Sequence, residues 1–251
     1  MTKYPVDLIT ILGPTASGKT PFAAHLAHHL GDAEIISADS RMVYRGMTIG
    51  SGKDLDDYVV DGHHIPYHLI DICEAGYRFN VYEFQCAFQN AFMDITARGQ
   101  LPIMCGGTGL YIESVLKSYE LGQVRFPERN SLTIGLSIER DLRREKISRR
   151  LKARLEEGMI EEVQTLLQTV SAEKLIRYGL EYKFVTLYCL GQLSYDEMYR
   201  QLEIAIHQFA KRQMTWFRGM EERRGIPIHW IDATLPHEDK VQIVLDLLNG
   251  K

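Results

Sequence analysis

The sequence predicts an α/β fold in which a parallel sheet flanked by helices gives way to a mostly helical C-terminal half. Three observations carry this. Short apolar runs of strand length alternate with amphipathic stretches of helical period as far as Ile138. A glycine-rich loop, Gly13-Pro14-Thr15-Ala16-Ser17-Gly18-Lys19-Thr20, stands between the first such strand and the first such helix. From Arg140 onward the apolar residues recur at helical spacing, apart from one last strand at Ile228-His229-Trp230-Ile231.

The loop follows Asp7-Leu8-Ile9-Thr10-Ile11-Leu12 and opens a helix from Pro21 to about Leu30, which is the full context of a P-loop. The expected fold is therefore P-loop NTPase-like. Gly13 and Gly18 let the N–H groups of Thr15, Ala16 and Ser17 turn inward on a phosphate, and the helix N-terminus adds its positive partial charge. Lys19 reaches the outer phosphate oxygens as a point charge, and the Thr20 hydroxyl is placed to ligate Mg²⁺. Pro21 fits the first helical turn, where a missing N–H costs nothing. These residues call for a polyphosphate and leave open whether it is a nucleotide or a diphosphate ester.

Further along, Glu34 to Ser37 reads as a strand ending in the polar cluster Ala38-Asp39-Ser40-Arg41, where open parallel sheets carry their chemistry. Gly46 to Asp61 reads as a loop with one or two short turns, and Tyr67 to Ile72 as a strand. Val81, Phe84, Phe88, Ala91 and Ile95 set a helix that Gly99 closes. Leu101 to Cys105 is a strand, followed by Gly106-Gly107-Thr108-Gly109 and a helix from about Leu110 to Lys117. Tyr119 to Ser131 has the composition of a connection, and Thr133 to Ile138 of a strand. Leu142, Ile147, Leu151, Leu155 and Met159 keep one apolar helical face. Arg140, Arg143, Arg144, Lys146, Arg149, Arg150, Lys152 and Arg154 crowd the rest, either as a solvated face or as a phosphate-contacting one. A helix from Tyr195 to about Arg218 places Met198, Leu202, Ala205, Phe209 and Trp216 on its packing side, with Lys211, Arg212 and Arg218 beside a Trp216 that could instead stack on a base. Lys240 to Leu248 reads as a terminal helix.

The 251 residues, 45% hydrophobic and 25% charged, form a core that needs no staples, and a single domain over residues 1–251 is expected. Cys73, Cys86, Cys105 and Cys189 have neither C-x-x-C nor histidine spacing, so buried reduced thiols are expected. No signal pattern or apolar span is visible, so the expectation is a cytoplasmic protein without membrane contact, and a monomer. A net charge of −4 argues against a general nucleic-acid binder, although clustering can supply a local basic face.

Taken together, the P-loop, Ile36-Ser37-Ala38-Asp39-Ser40, Val43-Tyr44-Arg45-Gly46-Met47, His68-Leu69-Ile70-Asp71, Gly106-Gly107-Thr108-Gly109-Leu110-Tyr111 and Ala210-Lys211-Arg212-Gln213-Met214-Thr215-Trp216-Phe217-Arg218 resemble the tRNA dimethylallyltransferase (isopentenyl transferase) family. The resemblance covers roughly residues 5–118 and 134–232. It implies transfer of a dimethylallyl group from dimethylallyl diphosphate to N6 of an adenosine beside the anticodon of tRNA, with the leaving diphosphate and Mg²⁺ in the P-loop. The family's catalytic aspartate falls on Asp39, and its diphosphate-touching threonine on Thr108. The diphosphate site would then take in Lys19, His207 and Arg212, and the acceptor site Asp39, Ser40, Arg41, Met42 and Arg45. The chemistry agrees, because an exocyclic amine must shed a proton as it bonds to the allyl carbon and a carboxylate can take it.

This chain departs from the family in four places. Met42 stands where glutamine is usual, and His207 where a diphosphate-binding arginine is usual. Gly52-Lys53-Asp54 replaces a region in which Lys-Pro is common. The helical insertion that helps grip the anticodon stem is reduced to about residues 119–131, as in the shorter adenylate dimethylallyltransferases that make cytokinins. Three other readings follow: a free-nucleotide dimethylallyltransferase, a P-loop small-molecule kinase with Asp39 as hydroxyl base or as an N-cap or Mg²⁺-positioning carboxylate, and a non-catalytic RNA-binding descendant. Thr108 can also be read as a turn residue among glycines.

Overall fold

The structure, a computed structural model, describes residues 3–121 and 127–250. Strand β1 (Leu8–Leu12) leads through the glycine loop into α1 (Lys19–Leu30), then β2 (Ala33–Ser37), a 3-10 turn at Leu55–Tyr58, the two-stranded ribbon β3 (Val59–Val60) and β4 (His63–His64), and β5 (Tyr67–His68). Next come α2 (Val81–Ala97), β6 (Leu101–Gly106), α3 (Gly109–Leu116) and β7 (Ser131–Ser137). The helical half comprises α4 (Arg140–Glu156), α5 (Met159–Leu166), α6 (Ala172–Arg177), α7 (Leu180–Cys189) and α8 (Tyr195–Arg224), and the chain ends with β8 (His229–Asp232) and α9 (His237–Leu248).

Six strands form one parallel sheet in the order β5-β2-β6-β1-β7-β8. Strands β1, β2 and β6 are buried along their whole length because both faces of the sheet are covered there. Side chains alternate along a strand, so Ile9 and Ile11 of β1 pack with Phe22 and Leu26 of α1 and Val241 and Val244 of α9. Leu8 and Leu12 pack the other way, with Phe84 and Phe88 of α2, Ile112 of α3, and Phe217 and Met220 of α8. A third core lies in the helical half, where Ile147, Leu151, Val163, Tyr182, Met198 and Leu202 close over Val43, Tyr44 and Met47 from the loop after β2. Capping boxes at Asn80/Glu83 and Ser194/Glu197 start α2 and α8, and Gly225, at φ 64°, ends α8.

The expected strand over Tyr67–Ile72 is confined to Tyr67–His68. Leu69 and Asp71 adopt φ of 65° and 55°, which breaks extended pairing, and the N–H groups of Ile72 and Cys73 bond instead to the Val43 carbonyl. The packing side of α8 also differs from expectation. Beyond Met198 and Leu202 the buried stripe continues through Ile206, Ala210, Gln213, Phe217 and Met220. Steps of three and four hold one face of a 3.6-residue helix, and Ala205, Phe209 and Trp216 sit one residue off it. Trp216 is consequently not core. It is 43% exposed and its ring lies over Gly109, where a Cβ would come within 2.4 Å of the indole. Arg154, expected on the polar face of α4, is buried. Of the connection at 119–131, residues 122–126 lie outside the described residues. Its far end is held to the start of β1, since the Asp7 N–H donates to the Asn130 carbonyl at 2.8 Å and the Asn130 amide to the Pro5 carbonyl at 2.8 Å. Among the described residues no helix is long and apolar enough to cross a membrane.

At the start of α9, His237 stacks on His25 of α1, with ring centroids 4.2 Å apart and planes within 3°. Its Nδ1 is buried without a partner. Burial, assisted by Lys240 and His25, pushes its pKa down to about 4, whereas an unfolded histidine titrates near about 6.5. Between those values the unfolded chain binds more protons, so stability is lost as pH falls through that window. Thermal unfolding followed from pH 7 to pH 4 should show a falling midpoint, with a shallower fall in His237→Phe.

Candidate active site

The P-loop is a strand end that curls over a helix start. Gly13 has no room for a side chain, because a Cβ would sit 2.7 Å from Ser17 Oγ. Ala16 and Gly18 take left-handed φ of 62° and 74°, which turns the chain into α1 at Lys19. The Ser17 hydroxyl is buried in this curl with no hydrogen-bond partner. Lys19 donates to the Pro14 carbonyl at 3.4 Å, and burial pushes its ammonium below the ordinary lysine range, opposed by the nearby Cys105 and Asp39.

The sheet order makes β2, β6 and β1 neighbours, so their carboxyl ends deliver Asp39, Thr108 and the P-loop to one place. The approach is close: a Cβ on Gly106 would stand 2.3 Å from the Ala38 carbonyl oxygen. Thr108 stands at the N-cap position of α3, but its side chain makes no capping bond. Its Oγ1 accepts from the Ser40 N–H at 2.9 Å and lies 3.2 Å from Ser40 Oγ, binding the β2 and β6 ends together. Nor does Asp39 cap a helix. Its carboxylate accepts from the Arg41 N–H at 2.9 Å, with Arg41 Nε 3.7 Å away. Arg41 reaches on to Glu181 of α7 at 2.7 Å. Against the desolvation that burial imposes, Glu181 and Asp39 hold the Arg41 guanidinium above its ordinary range.

Lys19, Thr15, Thr20, Asp39, Arg41 and Met42 line one cleft of about 500 Å³ at these strand ends. Arg150 and Arg154 of α4 and Gln213 of α8 complete its wall. A second cleft of about 880 Å³, which shares Lys19, Thr20 and Arg150 with the first, lies between the P-loop, Asp54 and Asp57, and the α4 residues Lys146 and Arg149. A third, of about 940 Å³, separates α4 from α8 and is lined by Arg140, Arg143, Arg144, His207, Gln208 and Lys211. Burial pushes the Cys105 thiol up to about 12, so it stays protonated beneath Lys19.

Several residues singled out in the sequence lie elsewhere. His207 lines the basic cleft between α4 and α8, and desolvation lowers its pKa, with Arg143 and Arg144 reinforcing the shift against Glu203. Arg212 is exposed, its guanidinium 5.9 Å from the Phe209 ring centroid. Gln213 is the α8 residue that faces the P-loop; position 212 is rotated about 100° from it and position 207 about 120° on a 3.6-residue helix. Arg45 pairs with Glu74 away from the cleft. Met42 is buried in the cleft wall, its sulfur 3.5 Å from Ser37 Oγ.

Other functional neighbours escaped the sequence reading. Gln213 stood within the Lys-Arg-Gln motif, and its place there was the available signal. Glu181 and Glu162 carried none. Glu162 accepts from the N–H groups of Thr48, Ile49 and Gly50 at 2.8, 2.7 and 3.0 Å and so holds the loop that borders the cleft. Lys53 is fully buried and binds Asp71 at 2.5 Å and the Tyr44 carbonyl at 2.6 Å. Gln213 accepts from the Thr15 N–H at 2.8 Å and donates to the Gly107 carbonyl at 2.9 Å. Gln213→Ala removes both bonds from a buried position, and should cost about 2–3 kcal/mol of stability in denaturant unfolding.

Comparison with known proteins converges on one family. The IPP transferase family model matches residues 42–133 and 120–220. Tested against curated proteins, the chain is 53% identical over 310 aligned positions to tRNA dimethylallyltransferase 2 of Phocaeicola vulgatus, covering all of both chains. It is 54% identical over 304 positions to tRNA dimethylallyltransferase 1 of Parabacteroides distasonis, covering 98% of each. Among solved structures, the full-length tRNA isopentenylpyrophosphate transferase of Bacillus halodurans superposes with a TM-score of 0.83 at 28% identity, over 97% of this chain and 96% of that one. A glycine loop, an aspartate and a threonine brought together at three adjacent strand ends thus stand in a chain that belongs to the tRNA dimethylallyltransferase family.

Proposed function

We infer that this chain is a transferase that moves the dimethylallyl group of dimethylallyl diphosphate onto N6 of an adenosine in tRNA. The observation that carries the reading is the single cleft that Lys19, Thr20 and Asp39 share, in a chain of this family. The diphosphate would rest on Lys19 and the loop N–H groups, with the unpartnered Ser17 hydroxyl as a further donor. Thr20 would hold Mg²⁺ together with diphosphate oxygens, which suits a cation that keeps few protein ligands. Among the described residues no group of three or more His, Cys, Asp or Glu gathers to hold a metal alone, which fits an ion that enters with the diphosphate. Bound there, it supplies charge against the departing pyrophosphate.

In the reaction the N6 lone pair bonds to the allyl C1 while the C1–O bond to the diphosphate breaks. Pyrophosphate leaves with that electron pair, and the amine sheds a proton. Asp39 takes the proton, its carboxylate oriented by the Arg41 N–H. Thr108 touches the diphosphate while keeping the two strand ends together. The same cleft read as a small-molecule kinase site would need a nucleotide in the P-loop, and the family match favours the prenyl donor. The cytoplasmic location and monomeric state expected from the sequence belong to this reading.

A second reading, transfer to a free adenine nucleotide, is favoured by chain length. The alignment with the P. vulgatus relative runs over 310 positions for a chain of 251 residues. The family model matches in two stretches that meet at residues 120–133. The expectation that the relatives' additional segment would fall at the connection 119–131 belongs to this second reading. Without that segment, the grip on an RNA phosphate backbone passes to the basic cleft of Arg140, Arg143, Arg144 and Lys211.

Incubation with labelled dimethylallyl diphosphate and either unmodified tRNA or AMP decides the acceptor; label in tRNA supports the first reading, and label in AMP with no detectable tRNA binding at low salt supports the second. Lys19→Ala should weaken donor binding and slow transfer by about 100-fold or more. Asp39→Asn should retain donor binding and lose transfer, and equal loss of donor affinity in both variants would overturn the separate roles. For tRNA, log affinity should fall with log salt at a slope of about −3, as for four phosphate contacts, and Arg143→Glu/Lys211→Glu should flatten it.

A further inference from the structure

We propose that Arg154 is a donor-binding residue of this chain, its guanidinium taking the diphosphate of the prenyl donor beside Lys19, with Arg150 as its neighbour. The proposal rests on the donor site set out above and assigns it a residue from α4. The position at which the resemblance placed a diphosphate-binding arginine is His207, and the fold turns that residue into a different cleft.

Arg154 lies in the last turn of α4 and lines the cleft that holds Lys19, Thr20 and Asp39. Its side chain is only 9% exposed. The Nη2 atom is buried and has no hydrogen-bond partner. A nearby carboxylate, Asp54, is 3.6 Å away and is already engaged by Arg150 at 2.5 Å. The other carboxylates at the site are engaged too: Glu181 accepts from Arg41 at 2.7 Å, and Asp39 from the Arg41 backbone. Lys19, Arg41, Arg150 and Arg154 thus face Asp39, Asp54, Asp57 and Glu181, and the Arg154 Nη2 is left among them buried and without a hydrogen-bond partner. Desolvation, and then Arg150, push the Arg154 pKa down to about 10, against the pull of Asp54 and Glu181. A planar guanidinium with free N–H groups matches the oxygens of a phosphate.

The loop opposite is shaped for this side chain. Gly52 has φ +73°, and a Cβ there would lie 2.1 Å from Arg154 Nη2 and 2.9 Å from Arg150 Nη2. The Gly52-Lys53-Asp54 departure therefore has a physical role: Gly52 leaves the slot, Asp54 steadies Arg150, and the buried Lys53 fixes the loop by its pair with the partly exposed Asp71. Glu162 fixes it from the α5 side.

Titration calorimetry of the intact protein with inorganic pyrophosphate, and separately with dimethylallyl diphosphate, both with Mg²⁺, tests this. Arg154→Met should weaken both ligands by about tenfold or more, and Arg154→Lys by less. The melting midpoint of Arg154→Met should not fall, because methionine fills the stem's volume and removes an unsatisfied buried charge. Gly52→Ala, which crowds the guanidinium, should weaken pyrophosphate binding in the presence of Arg154 and add nothing in the Arg154→Met background. A purely structural role in the pair with Asp54 predicts the reverse, a lower midpoint with pyrophosphate affinity unchanged, and that result overturns the proposal. Should Arg154→Met fail to fold, wild-type affinity in both Arg154→Lys and Gly52→Ala overturns it equally. Wild-type protein that binds pyrophosphate yet prenylates neither tRNA nor AMP would sink the proposed reaction while leaving the Arg154 assignment to be read from the variants. Wild-type protein that binds neither pyrophosphate nor the donor sinks both.

Discussion

Two hydrogen bonds from one amide, Gln213 to the Thr15 N–H and to the Gly107 carbonyl, join the long helix to the two loops that build the cleft. Most of what surrounds the site is arranged so that this amide can reach. The Gly107 loop lies where it does because Gly106 lets β6 come against the Ala38 carbonyl. Thr108 then passes the same constraint to Ser40 and the end of β2. The P-loop reaches Gln213 because β1 lies beside β6 in the sheet. Two such bonds are modest in energy, but a shift of one residue along α8 would turn the amide about 100° away and leave buried backbone groups unpaired.

Helix α8 can hold that register because it belongs to two cores at once. Its first half, with Met198, Leu202, Ile206 and Ala210, is buried in the helical cluster, and Phe217 and Met220 are buried against the sheet. The cleft lies at the junction, walled by sheet loops on one side and by α4 and α8 on the other. Rigid elements thereby carry the polar groups, which is what positioning of two substrates demands.

The charges sort by depth. Around the inner cleft Arg41 engages Asp39 and Glu181 and Arg150 engages Asp54, while burial desolvates Lys19 and Arg154, which suits a compact polyanion such as a diphosphate. The cations of the cleft between α4 and α8 are exposed or half-buried and face a wide opening, which suits a flexible phosphodiester chain screened by salt. One helix serves both, because Arg150 and Arg154 point inward while Arg140, Arg143 and Arg144 line the outer cleft.

The sequence by itself determined the local features. The P-loop, the alternation of strands and helices and the family motifs depend on neighbours within a few residues, and each reads directly from the chain. Lys19 was legible in the P-loop motif and the Asp39 cluster by its place at the carboxyl end of a strand, whereas Thr108 was singled out through the family resemblance. The tertiary structure alone decided which side chains on the helices turn toward that point. An error of one residue in helical phase moves a side chain by about 100°, enough to exchange the exposed Trp216 for the buried Phe217 and to send His207 into another cleft. The same holds for Arg154, one cation among many in the basic run, whose burial depends on a glycine far away in the chain. No periodicity within α4 records that Gly52 would be there to receive it.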